Sequence, residues 1–194
     1  MTLTAQQQAD AIRIAADTIH ANWQASYREQ NGADAVRFKP LKDADIEWLS
    51  TAPASAERNA ALRTVEGKQE INILAIPNSL LTPSHAAENT ASATSVIARI
   101  TANPTATDAH IASLVHDDWV ARNGSWAAEE LKKPYDQLSV AEQNKDLAVV
   151  KAGKDAIAQV TSQELASGGQ SSLNHTTQQG LSGTTQDPTQ VGGA

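Results

Sequence analysis

Residues 115–146 read VHDDWVARNGSWAAEELKKPYDQLSVAEQNKD, and two pieces of this stretch have counterparts earlier in the chain. VHDDW, from Val115 to Trp119, matches IHANW, from Ile19 to Trp23, in an aliphatic-His-x-x-Trp pattern. KPYDQLSVAEQNKD, residues 133–146, aligns without gaps on IPNSLLTPSHAAEN, residues 76–89, which places Pro77 on Pro134, Leu81 on Leu138 and Thr82 on Ser139. Two elements recurring in the same order predict a tandem repeat. A duplicated tryptophan, with its large rigid ring, is the natural place to look for a ligand.

Working outward, each tryptophan falls on a stretch with helical spacing. From Thr4 to about Asn31, Ile12, Ala15, Ala16, Ile19, Trp23 and Tyr27 share one face. Thr4 with Gln7 offers a capping box there and Gly32 a stop. Thr82 followed by Pro83 starts a second helix that runs to about Ile100, because proline at the first helical position gives up no needed hydrogen bond. A third helix begins near Thr105 to Asp108, carries Ala112, Val115 and Trp119 on one stripe and ends at Gly124. Ser139 and Glu142 form a capping box for a fourth, with Val140, Leu147, Val150, Ile157 and Val160 as its apolar stripe. In the equivalent first-copy start, Thr82 meets His85 and the box is not completed.

Between these helices the pattern breaks down. Residues 32–72, punctuated by Pro40 and Pro53, read as a long insert with one short helix around Asp43 to Ser50. After residue 166 the composition changes: 20 of the last 28 residues are Ser, Thr, Gln or Gly, and Asp187 is the only charged side chain. Such a segment buries too little apolar surface to offset its ordering entropy, so a disordered tail is expected.

Bulk composition narrows the function classes. The chain has 194 residues and 40% hydrophobic content, enough for one compact unit with a real core. Twenty-two carboxylates against 15 Lys and Arg give a net charge of −7, which argues against binding of DNA or RNA along a broad surface. Without cysteine there are no disulfides, thiolate metal sites or thiol nucleophiles. MTLTAQQQADAIR has no basic cluster leading into an apolar run, and no window approaches the roughly 18 apolar residues of a membrane span. The expectation is a cytoplasmic protein with no membrane association, in the host cell cytoplasm if a phage encodes it.

The second copy resembles the RyR domain, the repeat module of ryanodine receptors that also occurs in small stand-alone proteins of bacteria and phages. The matching features are the His-x-x-Trp helix end at Val115–Trp119, the Gly124–Trp126 segment, the Pro134-Tyr135-x-x-Leu138 turn and the polar stretch before the last helix. The first copy departs from the pattern, with Asn78 in place of Tyr135 and the long insert between its halves. The resemblance implies a mainly α fold: two pseudo-symmetric repeats packed as one helical domain, with short irregular or two-stranded segments. The first repeat would span residues 4–104 with its insert at about 32–72, the second 105–166, and the disordered tail 167–194. It further implies that the two tryptophans face one another and stack on an adenine ring, so that Trp23 and Trp119 would clamp a planar ligand.

Two readings of the tryptophans stand side by side. A pair of indole faces from two matching halves makes a stacking clamp, worth about 1–3 kcal/mol per base; yet each tryptophan also lies on the apolar stripe of its helix and could be a core residue. Arg28 and Arg122 follow them near the helix ends, where a guanidinium either meets phosphate oxygens or complements the helix dipole. Trp126 and Tyr135 lie where they could edge the same pocket or simply pack, and Trp48 in the insert could be a lid. His20 and His116 occupy matching positions, as a ligand or base or, more ordinarily, as side chains bonded to a neighbouring loop. Asp117 and Asp118 read as a solvated helix face, and Lys132 and Lys133 as a weak attraction for an anion. No zinc or calcium spacing, G-x-S-x-G or phosphate-cradling glycine loop occurs, so no metal, cofactor or catalytic residue is assigned.

The leading expectation is therefore a non-catalytic module that binds a small adenine-containing or signalling nucleotide, as a sensor or sequestering protein. The alternative is a structural or assembly protein that binds another protein and carries a flexible tail. Composition leaves a homodimer open.

Overall fold

The computed structural model describes residues 2–178, with side chains through residue 163. Helix α1 (Ala5–Asn31) begins at the expected capping box: Gln7 N donates to Thr4 Oγ1 at 3.1 Å and Thr4 N to Gln7 Oε1 at 2.8 Å. It stops at Gly32, whose φ of +100° suits a residue without a Cβ and whose amide bonds back to the Arg28 carbonyl. Helices α4 (Pro83–Ala102) and α5 (Asp108–Asn123) follow the boundaries read from the sequence to within a few residues, while α6 (Val140–Gln178) starts where expected and runs on past the expected start of the tail at residue 167. Thr107 caps α5 through its hydroxyl, and Ser139 Oγ accepts from Glu142 N at 3.2 Å at the start of α6. Single 3₁₀ turns occupy Asn78–Leu80, Glu129–Leu131 and Tyr135–Gln137; the first and last lie on aligned positions of the two copies.

The chain is mainly helical. Its main core is built from Ala11, Ala15 and Ala16 of α1, Ala93, Val96 and Ile97 of α4, Ile111, Ala112 and Val115 of α5, and Val150, Ala156, Ile157 and Val160 of α6; of the expected stripes, Ile12, Ile19 and Leu147 are only partly buried against it, and Val140, in the first turn of α6, is 72% exposed. The many alanines let backbones approach closely. At Gly153 of α6 an added Cβ would lie only 2.9 Å from Val96 Cγ1 of α4, so the glycine sets how near these helices come. On the helix face expected to be solvated, Asp117 is exposed, while Asp118 is half-buried and engaged: its carboxylate takes Arg99 Nε at 2.9 Å and Nη2 at 2.6 Å, and the Ser95 hydroxyl, which ties α5 to α4. Those donors hold Asp118 below the usual carboxylate range, with Arg99 as the chief cause.

The insert is more ordered than its sequence suggests. The expected short helix is α2 (Asp43–Thr51), and it is joined by α3 (Ala56–Ala61) and three strands, β1 (Phe38–Pro40), β2 (Leu62–Val65) and β3 (Lys68–Asn72). The sheet is antiparallel with order β1-β3-β2, three strands in a region where short irregular or two-stranded segments were expected. Glu66 and Gly67 make the two-residue turn between β2 and β3, both with positive φ, as a primed hairpin turn requires. A second small core, Ala61, Ile71, Ile76 and Leu81, lies under this region.

The elements from α1 through residue 160 of α6 belong to one compact unit, and Thr161–Gln178 belongs to another. Of the tail expected at 167–194, the backbone to Gln178 is part of α6, while residues 179–194 lie outside the described residues. Among the described residues no helix is long and apolar enough to cross a membrane.

Candidate functional site

Both histidines of the repeated motif are buried and reach across to the chain at the start of the second repeated element or three residues before it. His20 Nε2 lies 2.9 Å from the Ile73 carbonyl, and His116 Nε2 lies 2.9 Å from the Lys133 carbonyl. With Nε2 protonated and donating to the carbonyl, Nδ1 is left as the acceptor. In the first copy Asn89 Nδ2 stands 3.1 Å from His20 Nδ1 and also donates to Asn78 Oδ1 at 3.0 Å. In the second copy Asp146 Oδ2 stands 3.3 Å from His116 Nδ1. Asn89 and Asp146 occupy aligned positions, as do Asn78 and Tyr135. The departure of the first copy at Asn78 thus coincides with a half-buried amide pair.

The two settings differ electrically. Burial depresses the His20 pKa, and the amide partner suits a neutral ring. Asp146 is pushed up to about 6, first by burial, with the His116 ring pulling the other way. Burial, with Asp146 nearby, also raises the Tyr135 phenol.

Each tryptophan stacks on the histidine of its own motif. The Trp23 ring lies 5.5 Å from His20 at 23°, and Trp119 lies 6.3 Å from His116 at 21°. Neither belongs to the buried core; both are partly exposed. Tyr27 sits beside Trp23 at 5.6 Å, one turn further along α1, and Trp126 meets Trp119 edge-on at 6.0 Å while remaining 69% exposed. Tyr135 packs against the main core. Trp48 carries the Arg58 guanidinium 4.7 Å over its ring, which ties it to α3.

The arginines picked from the sequence are engaged within the protein. Arg28 Nη2 donates to the Leu74 carbonyl, and Arg122 Nη2 donates to Glu88 Oε1 at 3.0 Å and Ser92 Oγ at 3.2 Å. Lys132 pairs with Glu129 at 2.6 Å. Arg37, at the start of the insert, was not singled out by sequence: its guanidinium lies 5.3 Å over the Trp23 ring and 5.1 Å from Tyr27. Only the hairpin fold of residues 32–72 brings it there, so no periodicity could have marked it.

A second cluster missed by sequence joins the insert to α4. Asp45, 1% exposed, accepts from Ser84 N and Lys42 N at 3.1 Å each and from the Ser84 hydroxyl. Burial opposes its ionisation, but these donors outweigh it and hold Asp45 below the usual carboxylate range. His85 Nδ1 meets the Thr82 hydroxyl at 2.8 Å, 3.8 Å from Asp45. Ser, His and Asp meet here, with Ser84 Oγ 3.4 Å from His85 Nδ1, but the serine hydroxyl bonds the carboxylate directly and not through the imidazole, and the carboxylate caps α4 as it caps α2, which makes a structural joint.

A shallow groove of about 640 Å³ runs along α4, lined by Pro83, Ala87, Ala91, Thr94, Ser95 and, from α5, Arg122. Among the described residues no group of three or more metal-ligating side chains converges. Comparison with protein-family models, curated proteins and solved structures gives no match to this chain.

Proposed function

We propose that the chain is a non-catalytic binding module that holds a small adenine-containing or signalling nucleotide at Trp23 and Trp119, acting as a sensor or sequestering protein. The observation that carries this reading is the state of the two indoles: each is partly exposed, outside the buried core, and backed by an imidazole pinned to a backbone carbonyl. A partly exposed ring backed by a pinned imidazole is a preorganised stacking platform, which lowers the ordering cost of binding. The likeness to the ryanodine receptor repeat supports adenine as the ring. Phosphates reaching Arg28 or Arg122 would compete with the Leu74 carbonyl and the Glu88 carboxylate.

Trp23→Ala and Trp119→Ala test the reading. Each should weaken nucleotide binding by about tenfold or more, the loss of one stacking face, with the helical circular dichroism signal retained. Unfolding of both variants would instead assign the tryptophans to the fold. A second reading, a protein-binding or assembly role, is favoured by the apolar groove along α4. It predicts a stable complex in the native source and no small molecule released on denaturing the gently purified protein.

A further inference from the structure

The chain has seven arginines, and among the described residues six of them place a guanidinium nitrogen against an oxygen of the protein: Arg13 at Asp10, Arg28 at Leu74, Arg58 at Pro53 and Leu80, Arg63 at Glu70, Arg99 at Asp118 and Arg122 at Glu88. Arg37 is the exception. Its backbone is fixed, with its amide donating to Asn72 Oδ1 at 3.1 Å and its carbonyl accepting from Ile73 N at 3.0 Å. Its guanidinium is held against the rings of Trp23 and Tyr27, which lie one helical turn apart on α1. Among the described residues no acceptor of the protein meets the N–H groups of this guanidinium, so its donors are left unspent. Its N–H edge is a planar fork suited to the paired oxygens of a phosphate or carboxylate.

We infer that Arg37 is the anion-contacting and specificity-determining residue of the Trp23 platform, selecting ligands that carry a phosphate or carboxylate beside a stacked ring. The inference rests on the proposed stacking role of Trp23 and relocates the anion contact from Arg28, which is spent on the Leu74 carbonyl, to a cation with free donors. Ring and anion then bind side by side: the base on the indole, the oxyanion on the guanidinium edge.

Isothermal titration of the full chain at low ionic strength with adenosine 5′-monophosphate and with adenosine tests this. The monophosphate should bind about ten- to hundredfold tighter than adenosine, the worth of charge-assisted hydrogen bonds, and Arg37→Ala should erase the preference. Arg37→Lys should recover part of it by charge alone, and Arg37→Gln, which keeps a planar donor without charge, almost none. Should the alanine variant lose its helical circular dichroism signal, the lysine and glutamine pair still separates charge from fold. A preference that survives in Arg37→Ala, or equal binding of the two ligands by the natural chain, overturns the role of Arg37 while leaving the platform standing. Failure of both ligands to bind the natural chain removes the platform and the inference together.

Discussion

His20 faces the amide of Asn89 at 3.1 Å, whereas His116, at the matching place in the second half, faces the carboxylate of Asp146 at 3.3 Å. Both rings hold a backbone carbonyl with the other nitrogen, so the mechanical job is shared and the protonic one is not. The amide keeps its hydrogens at every ordinary pH, while a carboxylate facing an imidazole nitrogen must share one proton with it or present a lone pair to a lone pair. The halves also differ in their supports. The first is braced by the folded insert, through Asp45 at the start of α4; the equivalent start of α6 has the single hydroxyl of Ser139. One histidine–tryptophan device thus stands in a proton-indifferent, braced setting and in a proton-sensitive, lightly braced one.

The bracing contrast carries the largest expected effect. Asp45→Ala removes a side chain that is 1% exposed and leaves the Ser84 and Lys42 amides and the Ser84 hydroxyl, all in part-buried hydrogen bonds, without their acceptor, and should cost about 2–4 kcal/mol in denaturant unfolding at pH 7. Ser139→Ala removes one exposed cap and should cost about 1 kcal/mol. Because Asp45 is held below the usual carboxylate range, its contribution is present above the unfolded value near 4 and is lost as pH falls through the lower folded value. Equal losses for the two variants would erase the contrast.

Exchanging the partners comes next. Asn89→Asp places a carboxylate between His20 Nδ1 and the Asn78 amide and gives the first half the chemistry of the second. It should destabilise the protein by about 1–3 kcal/mol at pH 8, where the new group is charged and buried, and by much less at pH 5. A loss independent of pH would show that the site reads shape and not charge.

What the sequence conveyed follows the same division. The helical stripes, the cap at Thr4 and the turn–helix junctions at Thr82 and Ser139 were legible because each rests on local spacing. The reach of both histidines to a loop carbonyl was legible as the ordinary reading of their paired positions. The sheet was not: its strands have three to five residues, one ends in Pro40, and the Glu66–Gly67 turn lacks the usual Asn-Gly signal. Arg37 depends on that sheet and was hidden with it, and the Asp45 joint rests on a long-range contact between α2 and α4 that no local spacing marks. Asn89 and Asp146 stood in plain view within the aligned segments, and their pairing could have been asked for: a buried histidine bonded to a carbonyl needs something at its other nitrogen.

The smallest and sharpest test is the reverse exchange, Asp146→Asn, which should turn the second half into a copy of the first. Asp146 has a folded value near 6, above its unfolded value near 4, so the stability it contributes is full below about pH 4 and falls away as pH rises through 6. Replacing it by an amide that donates to His116 Nδ1 removes this dependence. The variant should therefore gain about 1 kcal/mol over the natural chain at pH 8 and lose the advantage by pH 4. His20 and His85, both depressed by burial, slope the other way, since their contribution grows as pH rises through 6.5, but they are common to both proteins and cancel in the difference. The difference between the two unfolding curves across pH 4–8 thus isolates one carboxylate. A flat difference would mean that Asp146 and His116 do not share a proton, and that the two halves, for all their unlike partners, behave alike.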